Sequence, residues 1–237
     1  MRKARPRRRR RELLHLLGRD VAIEVAFHPI VDARTGAVLG HAAVTRFPGP
    51  IGHGPAEWFA DARTADLAAE LELRAVAAAL RRFRAGDDGY VALDVSPETM
   101  ARGELLPLLL AGPVPASRVV VELTEHSPVE DYEAVRRARE AFRAHGIRLA
   151  VDDAGSGYAS FRRIVATDPD IIKIDRSLVV GVHADAAKTE LVRSIVTLAR
   201  ARGADTVAEG VQDLTDATRG AELGVDALQG TLVGGPR

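Results

Sequence analysis

The sequence predicts an α/β fold, a TIM-like (β/α)8 barrel lacking the last helix, and three observations carry that expectation. Eight apolar runs of strand character alternate with segments whose apolar residues recur at helical spacing. Proline and glycine punctuate the helical segments at the ends where each is tolerated. Acidic residues and one lysine collect at the ends of the strand-like runs, positions that share one mouth in a closed barrel. An open doubly wound sheet alternates strands and helices too, but eight strands in 237 residues fit a closed barrel better.

In chain order, strands are expected at Glu24 to Val31, Val38 to Arg46, Tyr90 to Val95, Arg118 to Leu123, Arg148 to Asp152, Ile171 to Ile174, Thr206 to Ala208 and Asp226 to Gln229. Helices are expected over Ala56 to Phe83, Pro97 to Leu110, Pro128 to His145, Ala159 to Val165, Ala187 to Arg202 and Leu214 to Leu223. Pro97 and Pro128 mark helix starts, where a missing N–H costs nothing. Gly146, Gly203 and Gly224 mark helix ends, where the backbone turns left-handed. After the eighth run only Gly234-Gly-Pro-Arg237 remains, so the segment Arg11 to Leu17 or a partner is expected to cover the sector an eighth helix normally closes.

Composition narrows the chemistry. The chain has no cysteine, which rules out disulfides and thiolate metal sites; any metal would be held by oxygen or imidazole, favouring magnesium, manganese or calcium. Charges balance at 33 against 33, but Met1 to Arg11 carries eight basic residues and no acidic one, so the remainder is net negative by eight. Residues 1–20 are expected to be a basic, disordered arm with a short helix, and 21–237 one barrel domain. The arm reads as a solvated tail, with nucleic acid or acidic lipid as its alternative contacts. No run reaches membrane-spanning length, and the segment after the arm is too short and charged for an export signal, so a cytoplasmic protein is expected.

The most informative stretch is Leu149-Ala-Val-Asp152-Asp153-Ala-Gly155-Ser-Gly157, followed by Lys173-Ile-Asp175. An apolar strand running into adjacent carboxylates and a Gly-flanked turn brings two acids to one point, as a divalent cation site requires. A solvated Asp-Asp turn is the plainer alternative. Only Lys3, Lys173 and Lys188 are lysine among 33 basic residues, so a lysine within the apolar run Asp-Ile-Ile-Lys-Ile-Asp points to a compact ammonium that a planar guanidinium cannot replace. Its alternative is a counter-charge to Asp152, Asp153 and Asp175. Asp94, Glu122 with Glu125, Glu209 and Gln229 close the other strand-like runs, and so many acids at one mouth would be costly without cations.

On these residues the chain resembles the EAL domain family, barrel phosphodiesterases that linearise the bacterial messenger cyclic di-GMP. The likeness spans Phe27 to Pro236 and rests on Phe27-His-Pro-Ile30, Asp94-Val-Ser96, Glu122-Leu-Thr-Glu125, Asp152-Asp-Ala-Gly-Ser-Gly157, Lys173-Ile-Asp-Arg176, Ala208-Glu-Gly-Val211 and Gln229-Gly230. The resemblance implies two Mg2+ or Mn2+ ions that activate a water for in-line attack. It implies Glu122 and Asp152 as ligands of the first, with Asp94 at the family's metal-binding Asn. Asp152 would bridge to a second ion completed by Asp153 and Glu209. Lys173 would align the water with support from Asp175, Glu125 would brace the loop after Asp153, and His28, Arg46 and Gln229 would line the cyclic di-GMP site.

The second strand departs from the pattern. It reads Gly40-His-Ala42-Ala-Val44-Thr-Arg46, with Ala42 at the metal-binding Glu and Val44 at the Leu that name the family. His28 stands at a substrate-contacting Gln, Asp94 at the Asn and Ala154 at an aromatic position. A methyl cannot ligate a cation. The expectation is therefore a catalytically impaired domain, one metal site at most, acting as a nucleotide receptor or protein-interaction module with a protein partner or a second copy as a homodimer. An active phosphodiesterase with a rewired first site is the alternative, since Asp94 returns the charge that Ala42 removes; a barrel whose acids are relics is a third.

Overall fold

The computed structural model of the protein describes residues 13, 23–47, 54–84, 86–124, 129–155 and 158–237. Eight strands close into a barrel in sequence order: β1 (Glu24–Asp32), β2 (Val38–Arg46), β3 (Tyr90–Val95), β4 (Val119–Leu123), β5 (Arg148–Ala154), β6 (Ile171–Ile174), β7 (Asp205–Ala208) and β8 (Ala227–Gln229). Every expected strand is present within two residues of its expected bounds.

The barrel is not wholly parallel. From β2 to β8 neighbours run parallel, whereas β1 is antiparallel to both β2 and β8. The cause is the connection after β1, a turn over Ala33–Ala37. There the Asp32 carboxylate accepts the backbone N–H groups of Arg34 and Thr35 and the Thr35 hydroxyl, and Gly36 takes a positive φ of 70°. A link that short can only reverse the chain, because a parallel return needs a crossover of a dozen residues or more.

The helices are α1 (Pro55–Thr64), α2 (Ala68–Arg82), α3 (Pro97–Ala101), α4 (Leu105–Ala111), α5 (Tyr132–Ala144), α6 (Tyr158–Thr167), α7 (Arg176–Val179), α8 (Ala186–Ala201) and α9 (Leu214–Leu223). Two expected helices are each split. Ala56 to Phe83 breaks at Ala65–Leu67, where Asp66 takes φ of 58°, and Pro97 to Leu110 breaks before Leu105. Pro128 lies outside the described residues, and α5 starts instead at Tyr132 under an Asp131 side chain that accepts the Ala134 N–H. The glycine stops are as expected, with φ of 77° at Gly146, 70° at Gly203 and 92° at Gly224.

No helix follows β8 among the described residues. Strand β8 reaches only Ile30–Asp32 of β1, and beyond it Arg237 exchanges two backbone hydrogen bonds with Phe27, at 2.9 and 3.1 Å. The C-terminal segment thereby lies against β1 where β8 stops short. Leu13 does not cover this sector: it is fully buried with Trp58, Ala62 and Leu71 of α1 and α2. The remaining residues of Arg11 to Leu17 lie outside the described residues.

Alternation along the strands divides the core into two layers. Val91, Leu93, Val119, Val121 and Leu123 pack outward with Leu80, Leu109 and Phe142 of the helices. Ile30, Ala42, Tyr90, Ala92, Val120, Ala150, Ile171, Val207 and Ala227 fill the barrel. Two residues further along each parallel strand from β3 to β8, the same inward alternation reaches Asp94, Glu122, Asp152, Lys173, Glu209 and Gln229; on the reversed β1 it reaches His28. One apolar layer thus carries a polar layer directly above it, and that is the mouth.

Candidate metal and ligand site

The mouth is organised around Lys173. Its Nζ lies 2.7 Å from Glu209 Oε1, 3.0 Å from Glu122 Oε2 and 3.3 Å from Asp152 Oδ1, so acids from β4, β5 and the end of β7 converge on one ammonium. The side chain is 4% exposed. Burial works against the charged amine, but the carboxylates of Asp152, Glu122, Glu209 and Asp94 outweigh it and hold its pKa well above the ordinary lysine value. The sequence-level alternative, a counter-charge to Asp152, Asp153 and Asp175, is corrected: of those three, Asp152 ion-pairs with Lys173, and the other two paired acids are Glu122 and Glu209.

Burial raises the acids in turn. It pushes Glu122 and Glu209 up to about 8, with Lys173 opposing in both cases. Asp94 rises to about 6 by the same cause, with the charge of Lys173 opposing. Asp152 goes the other way: burial raises it, but the charge of Lys173 and hydrogen bonds from its neighbours prevail and hold it below the ordinary value.

The adjacent acids converge through a local irregularity. The β5–β6 register shifts between Val151 and Ala154, and Asp153 takes a positive φ of 54°, which re-aims a side chain that would otherwise point to the opposite face. Asp152, Asp153 and Glu209 consequently bring carboxylate oxygens within 4.8 Å of one another. Hard oxygen donors without sulfur fit a divalent cation of the magnesium, manganese or calcium class.

Gln229 is buried, with Nε2 3.5 Å from His28 Nδ1. Gln229 Oε1 and His28 Nε2 are buried with no hydrogen-bond partner, an arrangement that calls for a ligand or water. His28 is the cross-strand partner of Ala42, which is 6% exposed in the barrel layer. Asp175 caps α7, accepting the Ser177 N–H at 2.9 Å, and so fixes the turn that follows Lys173. Arg46 ends β2 opposite Glu24 and is exposed. Glu125 lies outside the described residues.

Sequence reasoning missed a cavity of about 250 Å³ beside the mouth, whose lining includes Pro55, Phe59, Arg63, Glu72, Asp94 and Asp152. Glu72 reaches from α2 to accept the Ser96 N–H and hydroxyl at 2.9 and 2.8 Å, tying the helix to the end of β3. An acid on a helix otherwise rich in apolar residues was the available signal. A second acid group, His183 with Asp213 and Asp216, sits outside the mouth. There Asp216 accepts the Gly181 and His183 N–H groups and pairs with His183 Nδ1, so it clamps a loop.

A divalent cation should bind more tightly as pH rises from 6 and level off above about 8, because Glu209 must lose its proton to ligate and its pKa is about 8. Calorimetric titration with Mn2+ at pH 6, 7 and 8.5 checks this. Affinity independent of pH would show that Glu209 takes no part.

Comparisons with known proteins agree on this architecture. The family model described as the EAL domain matches residues 10–236. The cyclic di-GMP phosphodiesterase PdeL of Escherichia coli is 39% identical over 119 residues, half of this chain and 33% of that protein. The EAL domain of FimX from Xanthomonas citri, solved with c-diGMP, superposes with a TM-score of 0.85 at 23% identity, covering 98% of this chain and 94% of that one. Klebsiella pneumoniae BlrP1, solved with manganese and cy-diGMP, gives 0.78 at 28% identity over 94% of this chain and 57% of that one. The chain spans about a third of the length of the curated relatives it matches. No helix among the described residues is long and apolar enough to cross a membrane.

Proposed function

The chain belongs to the EAL domain family, and from that premise we propose that it is a cyclic di-GMP signalling domain of the cytoplasm that binds the dinucleotide as a receptor and hydrolyses it poorly. The observation that carries this reading is Ala42, a buried methyl inside the barrel beneath the acid layer, where the family resemblance calls for a metal-binding carboxylate. The rest of the mouth supports nucleotide binding. Asp152, Asp153 and Glu209 would hold Mg2+ or Mn2+, and that ion would offset phosphate charge. His28 and Gln229 carry unpaired buried polar atoms suited to a ligand, and Arg46 supplies an exposed cation at the rim. The barrel would act as the working unit, with residues 1–20 as an appended arm. A protein partner or a second copy would receive the signal.

A second reading, an active phosphodiesterase with a rewired first metal site, draws on Asp94. It is the cross-strand partner of Glu122, so a pair of acids survives where β3 and β4 reach the mouth. Product analysis after incubation with Mn2+ separates the two readings. The receptor reading expects intact cyclic di-GMP after many hours, whereas the rewired enzyme would release the linear dinucleotide at a rate set by protein concentration.

A further inference from the structure

We propose that His28 supplies the metal ligand that Ala42 withholds, so that the first ion position of the mouth selects an ion that accepts nitrogen, such as Zn2+ or Co2+, over Mg2+ or Mn2+. The inference rests on the reading of the mouth as a metal and nucleotide site, and deepens it by naming a new donor and the class of ion that donor selects.

Register puts an imidazole beside the place where the carboxylate is missing. His28 and Ala42 are direct cross-strand partners on the antiparallel pair β1 and β2. Ile30, two residues after His28, lines the barrel with Ala42, so alternation turns His28 inward as well. Side chains so paired start about 4.5–5.5 Å apart. An imidazole Nε2 and a glutamate carboxylate extend about equally far from the backbone, so a donor lost from β2 can be returned from β1. On the other side, Ala42 pairs with Ala92 of β3, two residues before Asp94, and Asp94 pairs with Glu122 of β4. One nitrogen donor thus joins a row of carboxylates.

Two orphaned atoms point the same way. His28 Nε2 and Gln229 Oε1 are buried with no hydrogen-bond partner, on a Gln229 that is 8% exposed. The two residues are linked, since Gln229 Nε2 lies 3.5 Å from His28 Nδ1. An amide in this place can present either end to the ring. With its NH2 group toward Nδ1, the ring proton sits on Nε2 and Oε1 is a bare acceptor in a mouth of carboxylates. With the amide turned, Oε1 accepts the Nδ1 proton, the NH2 group faces the mouth as a donor suited to a phosphate, and Nε2 keeps a lone pair. An imidazole held at one nitrogen by an oxygen acceptor is oriented to bind a metal at the other. One ion at Nε2 therefore accounts for both orphans.

The donor set decides the ion. Carboxylates and water suit Mg2+, Ca2+ and Mn2+, whereas imidazole suits Zn2+ and its neighbours, and affinity for nitrogen-bearing sites rises from Mn2+ through Co2+. Asp152, Asp153 and Glu209 remain an all-oxygen group. The position beside His28 has exchanged an oxygen for a nitrogen. The two positions consequently differ in the ion they favour, which agrees with poor hydrolysis when Mg2+ or Mn2+ is the only ion present.

Crystals of the full chain soaked in ZnCl2 and measured on both sides of the zinc edge test the proposal. An anomalous peak bonded to His28 Nε2 is expected, and a zinc map without one overturns it. In solution, His28→Gln should weaken one Zn2+ site by at least about tenfold, and Gln229→Leu the same site by about 10–100-fold, while Mn2+ affinity stays as in the parent. His183, Asp213 and Asp216 form another group able to take zinc, so the readout is the difference between parent and variant rather than the total count. Equal Zn2+ binding by parent and His28→Gln overturns the proposal, as does a matching loss of Mn2+. If neither variant folds, the parent crystal alone decides. Cyclic di-GMP binding in Ca2+, measured on the parent, keeps the questions apart. Zinc on His28 without nucleotide binding sinks the receptor reading alone, and nucleotide binding without zinc on His28 sinks this inference alone.

Discussion

Lys173→Met should lower the unfolding free energy of the metal-free protein by about 3–5 kcal/mol, the range for removing one partner from a buried ionic cluster. The substitution keeps the length of the side chain and deletes its charge, leaving Glu122, Asp152 and Glu209 facing one another without a cation. Because burial already pushes Glu122 and Glu209 up to about 8, both can escape by taking up protons at low pH. The loss should accordingly be smaller at pH 6 and largest above pH 8, and added Mn2+ should recover part of it by binding the folded state. Urea denaturation of parent and variant at pH 6 and 8.5 measures this. A difference below about 1 kcal/mol at both values, the range of an exposed ion pair, would mean that the three ion pairs do not hold the mouth together.

Hydrolysis should return in Mn2+ only when two positions change together. Ala42→Glu alone places a new carboxylate beside its cross-strand partner His28, whose Nε2 is buried without a partner and is free to capture it. It also adds a buried negative charge to a mouth that already holds the cross-strand acids Asp94 and Glu122. Asp94→Asn alone removes a charge and supplies no ligand. The double variant exchanges a carboxylate within one shell. It should exceed the parent by on the order of 10²-fold or more in turnover, with a strongly non-additive cycle. Full turnover by the parent, or by Ala42→Glu alone, would contradict this.

Much of the barrel was legible because each strand is a short apolar run with a polar residue at or beside its end, and three of the six expected helices stop at a glycine that takes a positive φ. The reversal of β1 was not, since alternation along a strand reads the same in either direction; the shortness of the Ala33–Ala37 turn was the only clue. The break between α1 and α2 was hidden because Ala65 and Asp66 carry neither proline nor glycine, and the apolar period continues across them. Helix α7, at four residues, is too short to show a period.

At the mouth, the identities of the acids and of the lysine were readable from strand ends, because the inward face of each strand is fixed by alternation. Which acids meet the ammonium was not readable, because it depends on barrel closure: Glu122 and Glu209 lie 51 and 36 positions away in sequence yet 3.0 and 2.7 Å away in space. Asp175, placed beside the lysine by sequence adjacency, instead caps the next helix. Glu72 itself left a signal as an acid on an apolar-rich helix, but its tie to Ser96 did not, being a contact between a helix and a strand end.

On the proposed function, the mouth is expected to grip cyclic di-GMP and fail to cut it. The most direct measurement loads the protein with labelled cyclic di-GMP in Ca2+, separates the complex, and exchanges the buffer into Mn2+ before resolving the bound nucleotide. The expected result is a loaded complex from which the nucleotide is recovered cyclic. Recovery of the linear dinucleotide within minutes would contradict it, as would failure to load any nucleotide at all.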